Sequence, residues 1–179
     1  MKKFLIGVII FSIIIAVAFK VANYRLPITR ERFVDYMINN GYFVASGFVY
    51  TSGEDYKSGD NEGMLVNINA EIDELSIVIN YFDFVDDDTA KMYYKKYTQE
   101  IRDKYFFKKS RQDILGYLNM NNYIKETSGD NFDRYIIRNP DGLNVTSIVS
   151  RISNTLIYVR DCSDTSYYKV RDSLGSIGY

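Results

Sequence analysis

Hydrophobic residues follow three different rhythms along this chain. Residues 4–19 form an unbroken apolar run behind Lys2 and Lys3. After residue 28 the pattern changes to short stretches, some with helical spacing and some alternating. Thr29 reads as an N-cap, and Phe33, Val34, Met37 and Ile38 follow on one face until Gly41 stops the helix, which predicts a helix over 29–40. Residues 42–50 are rich in Phe, Val and Tyr and read as extended. The polar stretch 51–63 reads as an exposed loop. Two strands are predicted at 65–71 and 75–84, joined by a tight turn at Asp73-Glu74.

The clearest helix lies over 86–105, where Ala90, Tyr93, Tyr94, Tyr97, Ile101 and Tyr105 form one stripe opposite charged residues. Further strands are predicted at 123–126 and 132–138, then at 143–152 and 155–160 across Ser153-Asn154. Asn139-Pro140-Asp141-Gly142 is a turn signal. A last helix, capped by Ser163 or Asp164, presents Tyr167, Val170, Leu174 and Ile177. Strands joined by short turns imply antiparallel pairing. The expected fold is α+β: a two-layer domain with an antiparallel sheet of about six or seven strands and three helices mainly on one face. The junctions at 80–97 and 155–172 both run from an apolar strand through acidic residues into a Tyr-rich helix, which suggests an internal pseudo-repeat.

At about 1.5 Å per residue, the N-terminal run spans a hydrocarbon core of about 30 Å once Val21 and Ala22 are included and Lys20 snorkels. Residues 1–22 therefore read as a membrane anchor or signal segment, 23–28 as a linker and 29–179 as one extracytoplasmic domain. Two fates compete: a retained single-pass anchor, or cleavage after Ala18 in the box Ala16-Val17-Ala18, which would release a secreted domain. Lys2 and Lys3 favour a cytoplasmic N-terminus, against a pull from Lys20, Arg25, Arg30 and Arg32. A basic head before an apolar run is the pattern of export, so the domain is expected outside.

Composition narrows the chemistry. The 179 residues include no His, no Trp and one Cys. That removes imidazole-based triads, His-ligated zinc, internal disulfides and CxxC redox pairs. Residues 29–179 hold all 23 acidic residues but 18 of the 22 basic ones, a net charge of −5. An acidic domain lacks the footprint of a nucleic-acid binder. Asp83, Asp86, Asp87 and Asp88 form the densest carboxylate group; they suit either a hard cation or the start of the following helix. Residues 54–62, and Asp161 with Asp164, pose the same choice. Cys162 has acidic neighbours and no base to activate it. Tyr105 and Lys109 have a Y-x-x-x-K spacing without any dinucleotide loop, and Asn144-Val145-Thr146 matches a glycosylation acceptor inside an expected strand. No catalytic residue, cofactor-binding residue or metal ligand is assigned. The seventeen tyrosines are expected mainly in the core and at its rim.

A helix ending in Gly41-Tyr42, a strand-to-helix joint with Ala90-Lys91-Met92-Tyr93-Tyr94, the strand running from Arg151 to Val159 and the closing Gly178-Tyr179 together give the chain a family look. It resembles small uncharacterised membrane-anchored or lipidated extracytoplasmic domains of low-GC Gram-positive bacteria, over about the whole domain. It departs from the lipidated members in having a plain apolar anchor. The resemblance implies no established activity. The expectation is a non-catalytic, membrane-tethered module for a protein or cell-wall partner. The alternatives are a small wall hydrolase built on carboxylates, or an envelope ligand sensor with a pocket on its sheet.

Overall fold

A computed structural model describes residues 2–49, 62–106, 124–138 and 145–179. The first element is helix α1 (Lys2–Asn23), followed by α2 (Arg30–Asn39), β1 (Phe43–Val49), β2 (Met64–Ile72), β3 (Ile77–Phe84) and α3 (Asp87–Phe106). Then come β4 (Ile124–Ser128), β5 (Phe132–Arg138), β6 (Val145–Ile152), β7 (Thr155–Ser163) and α4 (Asp164–Ser176). The seven strands form one sheet in the order β1-β2-β3-β7-β6-β5-β4, and every neighbouring pair is antiparallel. The α+β class and the antiparallel sheet stand as expected.

The number of layers does not. Central strands β3 and β7 are apolar on both faces. Ile77, Ile79 and Tyr81, with Ile157 and Val159, point to one side, where they join Phe33 and Met37 of α2 and Val170 and Leu174 of α4. Phe82 and Phe84, with Leu156 and Tyr158, point to the other, where they meet Ala90, Tyr93, Tyr94 and Ile101 of α3. A strand buried on both faces needs cover on both. The domain therefore has three layers, with α2 and α4 on one side of the sheet and α3 on the other, instead of two layers with the helices mainly on one face. A bulge between Met64 and Val66 turns Met64 toward the α3 side while the rest of β2 buries Val66, Ile68 and Ala70 on the opposite one.

The suggested pseudo-repeat fails for a related reason. β3 and β7 lie side by side and antiparallel, so the rotation exchanging them is a two-fold normal to the sheet, which keeps each face. The helices that follow them, α3 and α4, lie on opposite faces.

Helix ends show why Gly-Tyr follows both α2 and α4. Gly41 has φ +81° and Gly178 φ +90°. After α2 the Gly41 and Tyr42 N–H groups donate to Ile38 and Met37 carbonyls, and after α4 those of Gly178 and Tyr179 donate to Gly175 and Leu174 carbonyls. Both are Schellman closures, in which the residue after the left-handed glycine folds back on the helix. Each drops a tyrosine into the same core, where Tyr42 Oη meets Ser173 Oγ at 3.1 Å and Tyr179 Oη meets Thr155 Oγ1.

Several local boundaries move. Leu75 belongs to a 3₁₀ turn, Asp73–Leu75, and Ser76 is left-handed, so β3 starts at Ile77. β4 ends at Ser128 and β7 continues to Ser163, later than the sequence pattern implied. Thr29 and Ser163 act as the N-caps of α2 and α4. The turn at 139–142 and positions 51–61 of the expected loop lie outside the described residues, as do Tyr123, Leu143, Asn144 and Lys109 and the side chain of Tyr105. In α1 side chains are described only for residues 8–18. Among the described residues, no helix is long and apolar enough to cross a membrane.

Gly63 has φ +75°, and a Cβ there would lie 2.6 Å from Thr89 Cγ2; one on Gly41 would meet nothing. Gly41→Ala is therefore expected to cost about 1–2 kcal/mol for left-handed backbone alone. Gly63→Ala should cost about 1–3 kcal/mol more for the forced contact. Urea unfolding of the two variants followed by circular dichroism checks the order.

Candidate functional site

The acidic run that opens α3 divides into separate roles. Asp86 is the cap: its Oδ1 accepts the Thr89 N–H at 2.7 Å, and that bond holds its carboxyl below the usual range. Asp88 is exposed, with Lys91 Nζ at 3.5 Å. Asp83 lies on the other side of the sheet, beside a cavity of about 290 Å³ that Thr29, Arg30 and Tyr81 also line. There it accepts from Asn154 Nδ2 at 2.8 Å, and burial raises its pKa. The four carboxylates thus do not gather. Among the described residues, no three acidic, Cys or His groups converge as metal ligands would.

Asp87 joins a buried network instead. Arg151 is only 1% exposed although charged. It stands on β6 directly opposite Asp133 of β5. Its Nε donates to Asp133 Oδ2 at 2.8 Å, and its Nη2 lies 2.7 Å from the same oxygen. Its Nη1 donates to the Ser153 carbonyl at 3.0 Å and to Asp87 Oδ1, while Asp87 Oδ2 holds Lys91 Nζ at 2.7 Å. A charge this deep persists only when paired and hydrogen-bonded, and this one has both kinds of partner.

Along α3 a second cation repeats the arrangement nearer the edge. Arg102 Nη2 lies 3.3 Å from Glu126 Oε2 of β4, its Nε donates to Tyr135 Oη at 3.4 Å, and its guanidinium sits 5.0 Å from the Tyr135 ring centre. Between these two clusters, α3 and the β4–β5 hairpin enclose a groove of about 560 Å³ lined by residues including Lys95, Thr98, Gln99 and Asp130. That volume is in the range of ligand clefts. Tyr94 lines it with a hydroxyl that is buried and has no hydrogen-bond partner among the described residues. Burial raises its pKa, so it stays a neutral phenol, able to donate and to accept.

The groove is close to balanced in charge. Its lining sets Lys91, Lys95, Arg102 and Arg151 against Glu126, Asp130 and Asp133, and Asp87, just outside the lining, pairs with both Arg151 and Lys91. With so small a net field, it suits an uncharged polar ligand better than a phosphate or a polycation.

The remaining sequence candidates fall elsewhere. Cys162 is buried, its thiol donating to the Thr146 carbonyl at 3.1 Å. Thr146 of the glycosylation match is buried in β6. Glu62 contributes its backbone carbonyl to Tyr93 Oη, and the side chains of Asp161 and Asp164 are outside the described ones. The sequence reading missed Arg151, Asp133, Arg102, Glu126 and the Tyr94 hydroxyl. The available signal was Arg151 itself, a charge set between Val149 and Ile152 near the end of a buried strand.

The described residues thus form a three-layer α+β domain with a polar groove under α3 on one sheet face. No protein family, curated protein or solved structure matches the chain.

Removing one partner of a buried ion pair strands the other. Asp133→Ala is therefore expected to destabilise the fold by about 3–5 kcal/mol. The double replacement Asp133→Leu with Arg151→Met should cost clearly less than the single change. Denaturant midpoints of the parent protein and the two variants check this.

Proposed function

We propose that the chain is a non-catalytic module of the cell envelope, held to the membrane by α1 and carried outside the cytoplasm, which binds an uncharged polar envelope ligand in the α3 groove. The observation that carries the tether is α1. Its 22 residues make about 33 Å of helix, enough for a hydrocarbon core of about 30 Å. Its described large apolar side chains, from Val8 to Val17, are all 45–65% exposed, so the domain gives them no cover. Eleven described side chains are too short a run for a span, and the reading takes the remainder from the sequence. A continuous apolar surface without a protein partner needs another apolar phase. Lys2 and Lys3 ahead of the run support an exterior domain, as does the resemblance to anchored envelope domains.

A binding role fits the groove better than catalysis by carboxylates. Asp133 and Glu126 are each engaged by a guanidinium, which occupies the carboxylate oxygens that would have to face a substrate. A glycan hydrolase needs a pair of carboxyls flanking the scissile bond. Tyr94 Oη instead offers a neutral group ready for a ligand hydroxyl or amide.

Two experiments test the two halves. In wall-stripped cells, external protease should digest a C-terminally tagged chain that is full-size and membrane-bound. Protection would place the domain inside, and a shortened soluble species would establish cleavage after Ala18. Tyr94→Phe removes the unpaired hydroxyl, so the fold should be at least as stable as before. Its co-sedimentation with isolated wall material should weaken about tenfold, as expected for one lost hydrogen bond of about 1.4 kcal/mol. Unchanged co-sedimentation would move the site away from the groove.

A further inference from the structure

We propose that residues 24–28 seat the domain directly on the bilayer in one fixed orientation, with the turns at 129–131 and 153–154 toward the lipid headgroups. This rests on the reading of α1 as the anchor. The segment that the sequence presents as a linker is docked along most of its length. Two residues after α1 ends at Asn23, the Asn131 amide grips the backbone of Arg25. The Arg25 N–H donates to Asn131 Oδ1 at 3.1 Å, and Asn131 Nδ2 donates to the Arg25 carbonyl at 2.6 Å. The same Nδ2 donates to Ser153 Oγ at 3.1 Å, and the Ser153 N–H donates to the Asn131 carbonyl at 2.7 Å, which binds both turns to the strap. The Arg25 guanidinium lies 3.9 Å from the Phe132 ring centre. Ile28 is buried in the core, and its carbonyl accepts the Tyr81 hydroxyl at 3.2 Å.

The consequence is one of chain length. Two residues reach at most about 7 Å, so the gripped edge cannot stand far from the end of α1. The strands carry everything else away from that edge. β3 alone, with eight residues, rises about 25 Å and places the turn at 73–76 at the far end. On either side of Arg25, Tyr24 and Leu26 remain 53% and 78% exposed. An aromatic ring and an apolar side chain at this point fit the interfacial layer of a membrane. Charge does not hold the edge there, because Asp86, Asp88 and Asp130 are exposed along it and anionic headgroups would repel them. The chain connection and the strap's own apolar side chains hold it.

The full chain, reconstituted in phosphatidylcholine vesicles containing a nitroxide-headgroup lipid, tests the orientation. Asp130→Cys and Glu74→Cys are each labelled with a fluorophore, with the buried Cys162 left in place. Quenching at 130 should exceed that at 74 at least threefold. Asn131→Ala combined with Phe132→Leu should bring the two values together, and Phe132→Leu alone should narrow the gap if the double variant folds poorly. Equal quenching at both positions in a chain that floats with the vesicles, or stronger quenching at 74, overturns the seated orientation and leaves the anchor standing. A chain that does not float overturns the anchor, and the orientation with it.

Discussion

Everything in this domain follows from burying both faces of the β3–β7 pair. Because the two strands are antiparallel neighbours at the centre of the sheet, their side chains alternate between two cores instead of between a core and water. One face takes α2 and α4, at opposite ends of the described domain; the other takes α3. On that second face aromatic rings do most of the filling. Phe84 stacks on Tyr93 at 4.8 Å between ring centres, Phe82 on Tyr97 at 5.4 Å and Tyr97 on Tyr158 at 5.1 Å. Tyrosine suits a single-helix cover, since its ring packs inward while its hydroxyl reaches the edge of the layer.

Among the described helices α3 alone stands on that face, and one helix cannot cover seven strands. Toward β5 and β4 the α3 face changes from aromatic to charged, and this is where Arg151, Asp133, Arg102 and Glu126 stand. The ion pairs Arg151–Asp133 and Arg102–Glu126 close the gap between helix and hairpin. Tyr94 marks the boundary: its ring belongs to the aromatic core and its hydroxyl to the groove. The groove is therefore a product of the same constraint as the core, the strip of sheet that α3 leaves uncovered.

What could be read from the sequence was local. The cap at Thr29, the stop at Gly41 and the bounds of β5 depend on residues a few positions apart and stand as expected, and of the two caps offered for the last helix Ser163 is the one used. In the expected strand 75–84 the alternation of Ile77, Ile79 and Tyr81 points to one buried face, yet Phe82 and Phe84 carry the second face in plain view. The site was not legible, because Arg151 meets Asp133 across 18 residues and Asp87 across 64. Only strand register brings the first pair together, and only the choice of face for α3 brings the second. Asp87 was noticed as one of an acidic run, but nothing local separates it from its capping neighbour Asp86.

The strap links the anchor proposed for α1 to the fold. Ile28 completes the core on the α2 side, and the Arg25–Asn131 grip ties both neighbouring turns together. These contacts survive cleavage after Ala18, so the fold itself needs only residues beyond that point. A released domain would gain from them only the stability of a docked arm. An anchored one gains something a flexible tether cannot provide, because each contact removes a way for the domain to swing. An amide gripped on both backbone groups, a cation on a ring and a buried isoleucine within four residues restrict more motion than holding a loose end requires. Retention of α1 is the state in which that restriction has a consequence, because it then sets which edge of the sheet meets the bilayer.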